Sequence, residues 1–409
     1  MRTSRNVLCL LLGILLAACG ANGTPANRPA NAPSANPVPA GTSAPPNAAP
    51  TLQLTPPGLP AGGFPPLDRA LAGQIVFSNG DGDIYLIDVK PGAKPQKVIG
   101  SPDNKGFVQE PAWSPDGKQI VYSYLVPFDT SGLPSQDLLL ANADGSQPQT
   151  VLAHQLSGET FSMPVFSSDR RFIYYTHTTP IFKDKQIVNA TVKLERYELQ
   201  TRQMNVVADD GALAAMHPDG KRIAYVHTDP DTFQQSLVVS DLDGKNAKTI
   251  LAGNSLGGGI YSPAWSRDGS RLIFDVPNFF ADNSPTQQRV AMRPHPTSPA
   301  VRLAPRSGRG WRDGVGAPGM FAHLFDFLFD VHVAEAHGPP WDFWIVDADG
   351  KNLQRMTEIG EDMPYAVFSP DGKQFAFMGL AGIYILDADG KNIHSLFRDG
   401  GHGRLDWKK

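Results

Sequence analysis

Pro111-Ala-Trp-Ser-Pro-Asp-Gly-Lys-Gln-Ile-Val-Tyr122 is the stretch on which the fold turns. Apolar residues flank a Ser-Pro-Asp-Gly turn, in which proline presets φ, aspartate bonds its own backbone and glycine accepts positive φ. It reads as strand, tight turn, strand. The pattern recurs at Pro263–Phe274 and Ala366–Phe377, and more loosely at Pro164–Tyr175 and Ala214–Tyr225. Downstream of these lie third strands that enter Asx-x-Asp-Gly or Asp-x-Asp-Gly turns, as in Leu138–Gly145, Leu237–Gly244, Phe343–Gly350 and Gly382–Gly390. Fourth strands such as Lys248–Leu251 follow. Each unit is therefore a four-stranded antiparallel meander, and radial repetition of such sheets makes a propeller.

Spacing sets the expected blade count. The anchor residues of the first strands are Trp113, Phe166, Met216, Trp265 and Phe368, at steps of 53, 50, 49 and then 103. The last step is twice the others. Met320 and Phe329, nine apart like Trp113 and Tyr122, divide it and predict a hidden blade whose third strand is Trp344–Asp347. Residues 74–99 supply second to fourth strands without a first, and Leu405–Trp407 matches a first strand alone. The C-terminal strand is thus expected to join the first blade and close the ring. The fold class expected is all-β, a seven-bladed β-propeller; the alternative is six blades with a long insertion at 276–341.

The motif as a whole resembles the propeller repeats of the TolB family and the related WD40-like (PD40) repeats, over about residues 74–409. That resemblance implies a TolB-like propeller. TolB carries an α/β domain ahead of its propeller; here the corresponding space has a different composition, so no role in the Tol–Pal system carries over.

Residues 1–18 read as a signal peptide: Arg2 and Arg5, an apolar run from Val7 to Leu16, then Ala17-Ala18-Cys19. The run is shorter than the roughly 20 residues of a transmembrane helix. Its end resembles a bacterial lipobox, which implies acylation of Cys19, and the only other cysteine, Cys9, lies inside the signal. Residues 19–67 are then the lipid anchor and a tether; between 21 and 66 there are 13 prolines and a single charge, Arg28. Such a tract buries too little apolar surface to offset the entropy of ordering it. Residues 68–409 form the propeller. The expected location is the cell envelope, on the periplasmic side of the outer membrane or, in a single-membrane bacterium, the outer face of the cytoplasmic membrane.

The chain has 36 Lys+Arg and 40 Asp+Glu, a balance of −4, and no basic block, which excludes nucleic acid as an expected partner. The first-to-second and third-to-fourth turns are tight and fall on one rim. The other rim carries the long connections 124–136, 176–190, 276–286, 301–317 and 330–341, and insertions gathered on one face mark a binding face. Phe128, Phe182, Phe279, Phe280 and Trp311 are its candidate anchors.

No catalytic, metal or cofactor-binding residue is expected. Gly253-Asn-Ser-Leu-Gly257 matches a nucleophile elbow in letters only, because Gly258-Gly259 follows where a helix is needed. His323, His332 and His337, with Asp326, Asp330 and Glu335, show no recognised ligand spacing. The Asp-x-Asp-Gly turns hold too few oxygens for calcium. The expected function is a lipid-anchored scaffold that binds an envelope protein or peptide through its loop-rich face. The alternative is an envelope enzyme, a hydrolase or lyase, with a pocket at the central channel.

Overall fold

The computed structural model describes residues 64–256, 259–277, 341–361, 364–379, 382–398 and 403–409. The chain is a β-propeller of four-stranded antiparallel blades. Blade 1 joins β24 (Leu405–Lys408), β1 (Gln74–Ser78), β2 (Ile84–Asp88) and β3 (Gln96–Ile99). Blade 2 is β4 (Phe107–Trp113), β5 (Gln119–Leu125), β6 (Gln136–Asn142) and β7 (Gln149–Leu152). Blade 3 is β8 (Thr160–Phe166), β9 (Phe172–Lys183), β10 (Gln186–Glu198) and β11 (Met204–Asp209). Blade 4 comprises β12 (Gly211–Met216), β13 (Arg222–Thr228), β14 (Gln235–Asp241) and β15 (Lys248–Leu251). Blade 5 comprises β16 (Tyr261–Trp265), β17 (Arg271–Pro277), β18 (Trp341–Asp347) and β19 (Gln354–Arg355). Blade 6 comprises β20 (Tyr365–Phe368), β21 (Gln374–Gly379), β22 (Gly382–Asp387) and β23 (His394–Phe397). A single parallel bridge, Gln136↔Thr160, links blades 2 and 3.

The hidden-blade assignment is corrected here. Among the described residues there are six such sheets, and their inner strands pack in the order β24, β4, β8, β12, β16, β20 and back to β24. The segment expected to be the third strand of a hidden blade is β18, which pairs with β17 from Arg271↔Asp347 to Pro277↔Trp341. It therefore completes the blade begun at Tyr261. Residues 278–340, including Met320 and Phe329, lie outside the described residues. Two apolar residues nine apart carry little information; a strand is defined by the neighbour it pairs with.

The expected pairing of the C-terminal strand does occur, from Gln74↔Lys408 to Phe77↔Leu405. Several blades hold β24. Trp113 N donates to Asp406 Oδ2 (2.8 Å), Lys408 Nζ lies 3.6 Å from the Trp113 ring centre, and Trp407 Nε1 donates to Ala72 O (3.0 Å). Arg267 of blade 5 donates to Phe368 O and Trp407 O, at 3.0 and 3.2 Å.

Turn chemistry follows the sequence. In Ser114-Pro115-Asp116-Gly117, Ser114 Oγ donates to Asp116 Oδ1 (2.7 Å) and accepts from Gln119 N (2.9 Å). Ser167, Ser266 and Ser369 bond Asp169, Asp268 and Asp371 in the same way. In the Asp-x-Asp-Gly turns the first aspartate is held by an asparagine five residues on, as with Asn352 Nδ2 to Asp347 Oδ2 (2.6 Å). Glycine there has two reasons: φ is +81° at Gly145 and +83° at Gly244, and a Cβ would stand 1.9 Å from Val98 O and Val207 O of the preceding blade. The turns thus also set the distance between blades.

Phe64–Leu67, placed in the tether by composition, belongs to the packed structure. Leu67 N donates to Ser395 O and Ser395 N to Pro65 O, both at 2.8 Å. Phe64 meets Tyr384 edge-on at 5.3 Å, while Leu67 packs with Ile75, Leu405 and Trp407. The segment crosses the outer edge of blade 6 and covers unpaired groups of β23.

Candidate functional site

Counting three residues back from the anchor of each first strand gives Glu110, Met163, Leu213, Ser262, Tyr365 and Arg404, one per blade. The inner strands place these around the central channel. In blades 2 to 5 the strand carries a register shift at this point, and Glu110, Met163, Leu213 and Ser262 have φ of +57°, +52°, +57° and +47°. A non-glycine residue there costs on the order of 1 kcal/mol or more, yet four blades accept it. The bulge frees backbone N–H groups, and neighbouring blades satisfy two of them: Met163 N donates to Glu110 Oε2 (2.8 Å) and Leu213 N to Thr176 Oγ1 (3.1 Å).

Charge on this ring is unusual for so enclosed a place. Burial pushes the Glu110 carboxyl up against the hydrogen bonds from Met163 and Ser123 and the attraction of Arg404. Burial likewise lowers the Arg404 guanidinium, which donates from Nη1 to Pro164 O at 2.8 Å. Both groups lie deep in the molecule, and of the two Arg404 lines the channel cavity. Behind Ser262, Asp275 is 2% exposed and burial raises its carboxyl to about 8; its Oδ1 has no hydrogen-bond partner among the described residues. Tyr365 is pushed up by burial and by the charges of Glu110 and Asp275.

Met163, Leu213, Ser262, Tyr365 and Arg404 line a cavity of about 530 Å³ whose walls continue to the turn residues Pro115, Pro218, Arg267 and Pro370. It therefore opens toward the turn rim. The alternative enzyme reading asked for paired carboxylates at a channel pocket; among the described lining residues Asp406 is the single side-chain carboxylate, and its two oxygens accept from Trp113 N and Trp407 N.

The loop rim offers a different surface. Connection 176–190, expected as an irregular loop, is instead the end of the β9–β10 hairpin, paired as far as Lys183↔Gln186 around Asp184 and Lys185, both at positive φ. Its base is held by His177, whose Nε2 lies 2.8 Å from Glu159 Oε1 and Nδ1 3.1 Å from Glu195 Oε2. Burial pulls the imidazolium down, but the two carboxylates outweigh it and the net shift is upward. Tyr175 O–H donates to Glu195 at 2.9 Å.

Of the candidate anchors, Phe182 is on this hairpin and 43% exposed, and Phe128 is half-buried in the connection after β5. Phe279, Phe280, Trp311 and Cys19 lie outside the described residues, as do His323, His332 and His337. Large exposed apolar side chains that sequence reading passed over are Phe107, Leu156, Ile181 and Phe233, at the loop ends of blades 2 to 4, and Met204 and Val206 on β11, the outer strand of blade 3. Among the described residues no group of three or more His, Cys, Asp or Glu could hold a metal ion. The described part of the elbow-like stretch, Gly253–Ser255, is a single 3₁₀ turn in a blade connection. The ring residues were discoverable by stacking the repeats, since they occupy one repeat position; their mixed chemistry hid them.

No family model matches the sequence, and no curated protein matches it. Solved structures do match. TolB from Acinetobacter baumannii aligns with a TM-score of 0.51 at 17% identity, covering 82% of this chain and 66% of that one, just under two thirds. A putative TolB from Agrobacterium tumefaciens gives 0.47 at 14%, covering 80% and 91%; a chain of a nidogen/laminin complex gives 0.49 at 12%, covering 82% and 97%. The fold is that of a TolB-like β-propeller.

Proposed function

We propose that this chain is a lipid-anchored envelope β-propeller that captures an envelope protein or peptide on its loop rim. The carrying observation is the distribution of exposed apolar side chains: of seven large ones among the described residues, Phe107, Leu156, Ile181, Phe182 and Phe233 stand at one rim of three consecutive blades, while Met204 and Val206 lie on the outer strand of blade 3. Large apolar residues gathered on one surface mark interaction sites, and aromatic anchors supply much of an interface's energy. The paired hairpin presents Ile181 and Phe182 on a supported strand, so little ordering entropy opposes binding. The lipobox-like end of the leader supports acylation of Cys19 and an envelope location, and the proline-rich tract supports a spacer between lipid and propeller.

The test is affinity capture from solubilised envelope. A Phe182→Ser/Phe233→Ser variant is expected to lose its co-purifying partner and keep the melting temperature of the parent. Capture equal to the parent's would remove the loop rim as the binding face. Cys19→Ala is expected to shift the protein from the membrane to the soluble fraction; unchanged partitioning would end the lipid-anchor reading.

A further inference from the structure

The channel cavity points to a ligand unlike that of the loop rim. Its lining side chains oppose the overall charge of the chain: Arg267, Arg404 and Lys408 are basic, Asp406 is the one acidic side chain, Lys409 balances its ammonium with its own terminal carboxylate, and the sequence as a whole carries −4. Both oxygens of Asp406 are engaged by backbone N–H groups. Arg404 sits at the inner end. Its guanidinium has five N–H donors, and among the described residues it makes one hydrogen bond, to Pro164 O, while Asp406 and Glu110 act on it through their charge without a hydrogen bond. Glu110 attracts Arg404 from a distance, but its Oε2 accepts from Met163 N and Ser123 Oγ in the interface between blades 2 and 3, so it leaves the guanidinium donors free. An arginine cannot shed its charge, so a desolvated guanidinium with free donors calls for an anion. The same cavity is lined by Tyr365 and by the apolar residues Met163, Leu213 and Met216.

We propose that the turn-rim cavity binds a small organic monocarboxylate, its carboxylate on Arg404 and Tyr365 and its apolar body against Met163, Leu213 and Met216. A planar carboxylate matches the arginine fork, and about 530 Å³ falls within the usual volume of small-molecule pockets, roughly 300–1,000 Å³. Met216 is the one small anchor in the lining. Five first strands carry Trp or Phe at the anchor position, whereas blade 4 carries Met216.

The site is separate from the loop rim, and its test uses a matched set of probes. Isothermal titration of the full chain in non-ionic detergent compares 4-phenylbutyrate, 4-phenylbutan-1-ol and 4-phenylbutylammonium. The acid is expected to bind at least about tenfold more tightly than the alcohol, as a charge-assisted pair implies, and the ammonium more weakly still. Met216→Trp restores the side chain of the other repeats and fills the cavity; it is expected to weaken the acid by about tenfold or more while the far-UV spectrum and partner capture stay unchanged. Arg404→Gln is expected to abolish the preference of acid over alcohol. Equal affinity for acid and alcohol, absence of acid binding up to millimolar concentration, or acid binding unaltered by Met216→Trp would overturn the proposal. Loss of loop-rim capture with acid binding intact would leave it standing.

Discussion

At the turn rim, Ser114, Ser167, Ser266 and Ser369 repeat the same bond to an aspartate two residues on, and in blade 4 His217 takes the serine's place, with Nδ1 accepting from Asp219 N. At the loop rim no two blades finish alike: blade 3 ends in a long paired hairpin, blade 4 in a short turn at Asp229–Gln234, and blade 5 leads into residues 278–340. In the repeated Pro-Asp-Gly and Asx-x-Asp-Gly turns the glycine is pressed against the preceding blade, so a change of length there would move a whole sheet. Loops face solvent and meet no such limit. Constancy at one rim allows six blades to build a shared cavity; variety at the other allows blades to differ in what they display.

That contrast can be broken most severely at the closing strand. Trp407 is 2% exposed and packs between blades 1 and 6. Trp407→Ala is expected to cost about 3–5 kcal/mol, read as a fall in the denaturation midpoint. A loss under about 1 kcal/mol would mean that β24 is not what holds the ring shut.

The next effect depends on pH. Asp275 has its carboxyl raised to about 8, so the folded state holds a proton that the unfolded chain releases near pH 4. Its contribution is intact below that pH and is lost as pH rises through 8. Asp275→Asn should therefore leave stability nearly unchanged at pH 4 and raise it at pH 9 by a few kcal/mol, measured by urea unfolding at both pH values. A constant difference between wild type and variant would place the carboxyl in contact with solvent.

Gly145→Ala tests the spacing between blades. The new Cβ would approach Val98 O to 1.9 Å at positive φ, so a loss of about 2 kcal/mol or more is expected. Glycine at a loop-rim position such as Gly132, where no atom lies within 4 Å of the added carbon, carries only the positive-φ cost of about 1 kcal/mol. Equal losses at the two sites would erase the distinction between the rims.

The smallest effect is local. His177→Gln removes the cation between Glu159 and Glu195. Amide exchange in the β9–β10 hairpin should quicken severalfold at pH 6, with little change in global melting. Since the His177 value is raised, its stabilisation is full below about 6.5 and fades as pH passes the raised value. The difference between wild type and variant should therefore shrink as pH rises through that raised value. Quickening that persists at high pH would assign the role of His177 to its ring packing on Phe161, 4.6 Å away.

The strands and turns were legible because each depends on a few adjacent residues: alternation within Gln119–Leu125, or Pro-Asp-Gly at a bend. The pairing of the last strand could also be read, since residues 74–99 lacked a partner that Leu405–Trp407 matched. Legibility failed where distance along the chain replaced adjacency. Trp341–Asp347 looked like part of a new blade, and only its register with Arg271–Pro277 shows which sheet it completes.

Phe64 and Leu67 were hidden by their proline neighbours, since composition is an average and two buried side chains do not move it. The cavity was hidden for a related reason. Glu110, Met163, Leu213, Ser262, Tyr365 and Arg404 share a position and no chemistry, so a search for common residue types passes over them. The sequence by itself determined the repeating unit and where each chain reversal falls, because local sterics and side-chain-to-backbone bonds decide those. Tertiary structure decided the number of sheets around the axis, the ring of residues at its centre and the basic lining of the cavity, because each is a sum over blades that meet only once the chain has closed on itself.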